Sequence, residues 1–472
     1  MIRKSIVAQG LLLTALIVLA GVARPAAAQA QGSQPTYTIP EYNAFEAANA
    51  EKDPATQVKL LDDFVAKFPN STLMPYVYQL YYPAYAKQKN YAKTIEYADK
   101  VIALGDKVSA LVRLQAIQAR VLSFPQVFNA KDPDAHDQLV KQRDAADLGA
   151  KLLAALPKPA NQTAMSDADW EKQKKPGLGL FYSSAGAADI SLKDYAAAIT
   201  EFKSAITNNP NEAVSWYQLG VSYLQLAPPN YMDGFWSLAR AINLKIPGDA
   251  KVKDYLKKQI LVYEQPGCDT SADAQVSELL QLAGTTGDRP ATYKIPSAAD
   301  LTQVRQSSNI LSLISDLSAG GDKAKITWLA LCNAQFPEVV GKIIDVVPGD
   351  NYVDFMVYTG ATDDDIQKAT TANMDVKVQT APLPGEAAAA APAVPAAGAA
   401  PGTNPPAGPQ PDVLRLQKDD GIRFAGTVAS YDPNPFLLHW SDVKVDPTII
   451  PAKQDEGKHH HVSSKHSGKS GK

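Results

Sequence analysis

The chain has only two cysteines in 472 residues and lacks the short motifs that most enzymes use. It contains no phosphate loop of the Walker type, no His-Glu-x-x-His zinc helix and no Gly-x-Ser-x-Gly nucleophile turn. Of its six histidines, only His136 and His439 lie outside the C-terminal tail, and neither stands in a motif with a nucleophile or a base. We therefore predict a protein that is not an enzyme, with no catalytic residues and no cofactor or metal in its folded body.

Apolar runs long enough to span a bilayer are scarce as well. The longest is Gly10–Ala23, which follows two basic residues and precedes a run of small residues. This order is typical of a secretory signal peptide, and the run is shorter than the roughly 20 residues of a membrane helix. We expect residues 1–30 to be a signal peptide cleaved after Ala28 or Ala30. The mature protein is then periplasmic or secreted, with no integral membrane segment; an uncleaved anchor is the alternative.

The two cysteines and the charge balance constrain the partners further. In an oxidising compartment Cys268 and Cys332 either form one disulfide or remain two buried thiols, and the sequence leaves both states open. Removing residues 1–30, which hold three basic groups and no acidic ones, changes the formal net charge from −3 to −6. That charge gives no electrostatic reason to bind nucleic acid or an anionic membrane.

Two consecutive segments, Tyr182–Pro210 and Trp216–Pro247, carry the most informative pattern. Their leading aromatic residues, Tyr182 and Trp216, are 34 positions apart. Motif residues follow in each segment: Gly186, Tyr195, Ala198, Phe202 and Ala205 in the first, and Leu219, Gly220, Tyr223, Leu238 and Ala241 in the second. Period and spacing together resemble the tetratricopeptide repeat, a helical hairpin that stacks on its neighbours because it cannot bury its apolar face alone. Asp189 departs from the pattern, since an aromatic residue is usual there.

Weaker signals extend the array in both directions. Tyr78 precedes Tyr182 by about three repeat periods, and the apolar residues of Tyr42–Pro69 have helical spacing. We predict a helical solenoid of about five hairpins over residues 37–262. Residues 263–335 also have helical periodicity, and we predict a helical cap or connector there.

The resemblance implies a partner-binding groove on the first helices of the hairpins. By register the inward positions are Ser183, Ala187 and Ile190 in one repeat and Tyr217, Val221 and Leu224 in the next. Family members that clamp a peptide carboxylate have Lys and Asn at such positions, whereas this chain has small and apolar residues. The implied ligand is therefore an apolar helix or extended segment of a protein or peptide, with Tyr217 as its anchor. The alternative is that these side chains pack against the solenoid's own next layer.

After Phe336 the periodicity changes from helical to alternating. Five short runs predict strands, with an acidic helical segment after the second: Lys342–Val347, Tyr352–Tyr358, Asp375–Gln379, Ile422–Tyr431 and Phe436–Val445. Their order over residues 336–450 resembles an OB-like barrel. The predicted fold class is α+β: an all-α helical-hairpin solenoid followed by a small β-barrel.

Two segments have strongly biased composition. Residues 382–411 are nearly all Ala, Pro and Gly, and we predict a disordered insertion within the β domain rather than a linker, because a separate C-terminal hairpin would be marginally stable. Residues 453–472 form a polar tail rich in His and Lys, predicted to be disordered. Its histidines favour at most weak binding of a divalent metal, and a solubilising tail is the plainer interpretation.

OB-like barrels often bind nucleic acid, and this one has aromatic residues that could stack on bases. Between Phe336 and Ile450, however, 15 acidic and 7 basic residues give a net charge of −8, and binding to phosphates requires the opposite sign. We predict no nucleic-acid partner. Three interpretations remain: an exported scaffold that binds a protein or peptide, a structural subunit of a cell-envelope assembly that docks through its β domain, or a carbohydrate or small-ligand binder. The sequence does not fix the oligomeric state.

Overall fold

The computed structural model describes residues 36–160, 162–265, 267–381 and 408–452. The predicted signal peptide, most of the predicted insertion and the predicted tail lie outside these residues. The chain forms two compact units: a helical unit that runs to Tyr263 and includes Ala272–Ile295, and a barrel unit made of Glu264–Ser271 and the residues from Pro296 onward. Within the described ranges, no helix combines the length and the apolar character needed to cross a membrane.

The helical unit is a series of helices, and the first ten pack against their neighbours in sequence. They are α1 (Ile39–Ala50), α2 (Pro54–Lys67), α3 (Met74–Lys87), α4 (Tyr91–Ile102), α5 (Ala110–Val127), α6 (Ala135–Ala155), α7 (Asp167–Leu192), α8 (Tyr195–Asn208), α9 (Ala213–Leu224), α10 (Tyr231–Asn243), α11 (Asp249–Glu264) and α12 (Asp269–Thr285). In addition, α3 contacts α5, α5 contacts α7, and α7 contacts α9. These four helices, the first-helix layer, line up as the first helices of stacked hairpins do.

Glycine lets the two helices of a hairpin approach closely. A Cβ atom at Gly186 would lie 2.9 Å from the ring of Phe202, and one at Gly220 would lie 2.9 Å from Leu238 Cγ. Both distances are too short for real packing, so only glycine fits between these helices. The structure confirms the close approach that the repeat spacing predicts at these two positions.

The first helix of the first repeat is longer than the repeat pattern indicates, because α7 begins well before Tyr182. Ser166 caps its start by accepting from the Asp169 amide at 3.1 Å. The added turns then bind the end of α6: Trp170 Nε1 donates to Leu156 O at 3.1 Å, and Lys174 Nζ donates to Ala154 O at 2.8 Å. These bonds satisfy carbonyl groups that the end of α6 leaves without helical partners.

The segment 263–335, predicted as one cap or connector, is divided between the two units. In α12, Val276, Leu279 and Ala283 are buried in the core that α9, α10 and α11 share. The following helices, α13 (Ala298–Ser307), α14 (Ile310–Ala319) and α15 (Gly321–Leu331), instead bury residues in the core of the barrel unit. Helical periodicity does not reveal the break between α13 and α14, where Asn309 caps α14 by accepting from the Ser312 amide at 2.9 Å.

The barrel unit contains the predicted five-stranded closed barrel. Its strands are β1 (Gln335–Pro348), β2 (Tyr352–Tyr358), β3 (Met374–Gln379), β4 (Gly421–Pro433) and β5 (Phe436–Val445), with the short helix α16 (Asp363–Lys368) between β2 and β3. The order around the barrel is β1-β2-β3-β5-β4, and β4 pairs with β1 to close it. Only the β3–β5 pair is parallel. β1 is longer than predicted because two register shifts bend it, which lets it pair with both β4 and β2.

One domain continues across the Ala/Pro-rich segment, because β4 and β5 complete the barrel that β1, β2 and β3 begin. The chain leaves and re-enters the barrel at the same place: the Gln410 amide donates to Gln379 O at 2.7 Å. The Gln410 side chain also accepts from the Val445 amide at 2.9 Å and donates to Val445 O at 3.1 Å. Gln410 therefore joins the end of β3 to the end of β5.

A disulfide joins Cys268 to Cys332 within the barrel unit. The sulfur atoms are 1.98 Å apart and the Cα atoms 6.0 Å apart. Cys268 immediately precedes α12, and Cys332 caps the end of α15. Of the two states that the sequence allows, the structure has the bonded one.

Candidate functional site

The six residues predicted to line a groove lie on two neighbouring helices of the first-helix layer. Ser183, Ala187 and Ile190 are on α7, and Tyr217 and Val221 are on α9. Ala187 is exposed and the other four are half-buried. Because α7 contacts α9, these positions belong to adjacent helices of one layer and remain accessible there.

The sixth residue, Leu224, is placed differently. Its side chain is only 7% exposed and belongs to the core of the helical unit. A Cβ atom at Gly234 of α10 would lie 2.8 Å from Leu224, so the leucine fills the space that this glycine leaves. Leu224 holds α9 against α10 and offers no surface to a ligand.

One further tyrosine, Tyr255 on α11, was not among the predicted positions. Tyr217 and Tyr255 are both half-buried against the same core. Burial raises the pKa of each phenol, and the nearby Tyr217 raises the pKa of Tyr255 further. Tyr217 therefore lies near enough to Tyr255 to disfavour ionisation of its phenol. We call Ala187, Ile190, Tyr217, Val221 and Tyr255 the tyrosine surface.

A buried network of polar side chains connects the helices from α4 to α7. Arg120 on α5 is 3% exposed; its Nε donates to Asp99 on α4 at 2.7 Å, and its guanidinium also donates to Gln142 on α6. The Gln142 amide donates in turn to Ser184 on α7 at 2.8 Å. One arginine and one glutamine therefore connect four helices, and losing either would leave buried polar groups without partners.

Three carboxylate side chains lie where α6, α7 and α8 pack. Unlike Arg120 and Gln142, two of them have a buried oxygen without a hydrogen-bond partner. Asp189 is 2% exposed, and one of its carboxylate oxygens is buried with no hydrogen-bond partner, as is one oxygen of Glu201. Burial, with Asp147 nearby, raises the pKa of Asp189 to about 6 against the opposing effect of Arg143. Burial, with Asp147 and Asp189 nearby, raises the pKa of Glu201 to about 7. We call Asp147, Asp189 and Glu201 the carboxylate cluster.

Neither of these polar groups forms a metal centre. In the described part of the chain, no set of three or more His, Cys, Asp and Glu side chains is arranged to hold a metal ion. The tyrosine surface has no charged member, so its chemistry is that of apolar contact and hydroxyl hydrogen bonding.

Sequence reasoning missed Tyr255, the Arg120 network and the carboxylate cluster for different reasons. Tyr255 lies on a helix that follows the last recognisable repeat, so no register placed it. Arg120 and Gln142 lie in a stretch whose repeat pattern has diverged, where a charged residue usually marks a solvated face. Asp189 did carry a signal, because it stands where the repeat favours an aromatic residue.

No protein-family model matches the chain, and no curated protein matches it. Among solved structures, the C-terminal part of a TPR repeat-containing protein from Cytophaga hutchinsonii is similar, with a TM-score of 0.24 and 15% sequence identity. The similarity covers 52% of this chain and 95% of that one.

Proposed function

We propose that this protein is an exported, non-enzymatic scaffold of the tetratricopeptide type that binds a protein or peptide partner on its first-helix layer. The observation that carries the proposal is the tyrosine surface: half-buried Tyr217 and Tyr255, with exposed Ala187 on α7, which contacts α9. Aromatic residues held in place by partial burial are suited to anchoring a partner, because they offer a large contact area and lose little side-chain freedom on binding.

The chemistry of the surface defines the partner class. Its members are alanine, isoleucine, valine and tyrosine. The surface therefore gains most from burying apolar side chains of a partner, and it has no positive charge to pair with a carboxylate or phosphate. An amphipathic helix or an extended segment presenting apolar residues fits this surface, with the tyrosine hydroxyls available to backbone groups.

Replacing Tyr217 with Ser and Val221 with Lys together should weaken partner capture at least roughly thirtyfold, the equivalent of one hot spot of about 2 kcal/mol. The measurement is quantitative affinity capture from an envelope extract, with the partner identified first on the wild-type protein. Because Tyr217 also contacts the core, Ala187→Lys serves as a second variant, since it adds a charge at an exposed position and removes no packing.

The matched control places the same new residues on the other helix of the hairpin. Thr207→Ser with Thr200→Lys alters two exposed positions of α8, outside the first-helix layer, and should leave capture unchanged. Undiminished capture by both the Tyr217/Val221 variant and Ala187→Lys would rule out this surface. Equal loss in the α8 control would show that added positive charge alone causes the effect.

Export is the second part of the proposal. Its support is the signal-peptide pattern of residues 1–30 and the disulfide, a bond typical of oxidising compartments. We expect the mature chain to begin near Gln29 or Gln31 and to be recovered from the soluble periplasmic or secreted fraction. N-terminal sequencing of the protein from fractionated cells tests this, and an intact Met1 in the membrane fraction would contradict it.

A further inference from the structure

One histidine of the barrel unit is held between two carboxylates from different strands. His439 on β5 has its Nδ1 atom 2.9 Å from Asp375 Oδ2 on β3 and its Nε2 atom 3.1 Å from Asp432 Oδ2 near the end of β4. Asp375 lies in the wall of the barrel, opposite His439 in the parallel β3–β5 pair. Asp432 pairs with Leu437 of β5 next to the β4–β5 turn, and its side chain is 65% exposed.

The protonation state follows from hydrogen-bond chemistry. An ionised carboxylate can only accept hydrogen bonds, so both ring nitrogens must carry a proton to bond Asp375 and Asp432 at once. A neutral imidazole has one N–H, and its other nitrogen would present a lone pair to a carboxylate oxygen. We propose that His439 is a pH-dependent clasp, which in its protonated form joins Asp432 on β4 to Asp375 on β3 and in its neutral form releases Asp432.

The groups around the ring favour the charged form. Asp354 on β2 faces the same cluster, and one carboxylate oxygen of Asp354 and one of Asp375 are buried without a hydrogen-bond partner. Lys377 on β3, which pairs with Asp354 in the sheet and lies 3.7 Å from the Tyr352 ring centroid, is the opposing charge. Three carboxylates from β2, β3 and β4 thus face the imidazole, against one ammonium group.

These contacts determine whether the clasp is closed at low or at high pH. Burial by itself lowers the pKa of His439, but the hydrogen bonds to Asp375 and Asp432 outweigh it, and the net shift raises the pKa above the usual 6.5. A base whose pKa is raised by folding contributes stability that is complete below pH 6.5 and is lost as the pH rises through the folded-state pKa. The clasp is therefore closed below pH 6.5 and opens as the pH rises through the raised pKa of His439.

Of the two bonds, the one to Asp432 is the one that breaks. The β3–β5 pairing fixes Asp375 and His439 as direct partners, whereas Asp432 is exposed and precedes the turn between Pro433 and Phe436. Loss of one proton leaves a single N–H, which stays with the fixed partner. Release then removes a side-chain link between β4 and β5 beside their turn and leaves the strand pairing of the barrel in place.

The titration of His439 is the first test, by side-chain nitrogen NMR on the full-length protein between pH 5 and pH 9. His439→Gln identifies the ring signals by their loss, since the chain has five other histidines. We expect a midpoint above 6.5, and we expect Asp432→Asn to lower it. A midpoint below 6.5, or no change in Asp432→Asn, would overturn the proposal.

Hydrogen exchange of the hairpin is the second test, and it separates a clasp from a histidine that merely titrates. After correction for intrinsic exchange rates, backbone protection of residues 431–438 should fall roughly fivefold from pH 6 to pH 8.5 in the wild type. The β1–β2 turn at residues 348–352 serves as the internal control. Protection that is independent of pH in the wild type, or that depends on pH equally in His439→Gln, would contradict a pH-dependent link beside this turn.

Discussion

Replacing Cys268 and Cys332 with alanine is expected to lower the free energy of unfolding of the barrel unit by about 4 kcal/mol. The bond closes a loop between residues 64 positions apart, and a closed loop of that length removes much conformational freedom from the unfolded chain. Cys268 is also buried in the barrel core. Urea unfolding followed by tryptophan fluorescence measures the effect, because Trp328 and Trp440 both belong to this unit.

Reduction of the wild-type protein provides the internal comparison for this prediction. A thiol reductant should shift the barrel transition of the wild type toward that of the double-alanine variant and should leave the variant itself unchanged. Coincident unfolding curves for the oxidised and reduced wild type would mean that the bond constrains nothing.

Neutralising the carboxylate cluster is expected to stabilise the helical unit at pH 8. Asp189→Asn and Glu201→Gln keep the side-chain shape while removing a charge that burial disfavours. If the whole penalty implied by these pKa shifts were removed, each substitution would raise the free energy of unfolding by about 3 kcal/mol. Partial screening by solvent reduces the expected gain to about 1 kcal/mol for each variant. Thermal unfolding at pH 8, followed by far-ultraviolet circular dichroism, measures it.

The gain in stability of these two variants over the wild type is also expected to depend on pH. Both carboxyl groups have folded-state pKa values, about 6 and about 7, above their ordinary values of 3.8 and 4.5. Their contribution to stability is therefore complete below about pH 4 and is lost as the pH rises through 6 to 7. The variants should approach the wild type near pH 4 and exceed it at pH 8. Asp254→Asn, at an exposed carboxylate on α11, is the control, and a gain at pH 8 as large there would contradict the assignment to burial.

The sequence predicts the two-part fold because each part repeats a simple physical pattern. The 34-residue spacing from Tyr182 to Trp216 places glycine where two helices touch, and alternation over residues 352–358 places every second side chain in the barrel core. Both patterns depend on neighbours in the chain. The division of residues 263–335 could not be predicted, because helical periodicity shows that a face is buried and not which core buries it.

In the candidate site, local sequence patterns likewise predict some positions, while others depend on residues far away in the chain. The repeat register places Tyr217 and Val221 on an accessible layer, but the same register includes Leu224, which the structure buries. The difference lies in Gly234 on another helix, whose missing side chain makes room for the leucine. Tyr255 and the Arg120 network depend on packing between hairpins that carry no recognisable repeat, so no local pattern indicates them.

The disulfide also changes the covalent topology of the molecule. It converts residues 268–332 into a ring, and α12, α13, α14 and α15 all lie on that ring. Part of the ring, Ala272–Ile295, belongs to the helical unit, while the remainder belongs to the barrel unit. Hydrolysis of any single peptide bond within the ring leaves one covalent molecule. A protease cut in the stretch 286–297, between α12 and α13, would therefore separate two fragments on a gel only after reduction.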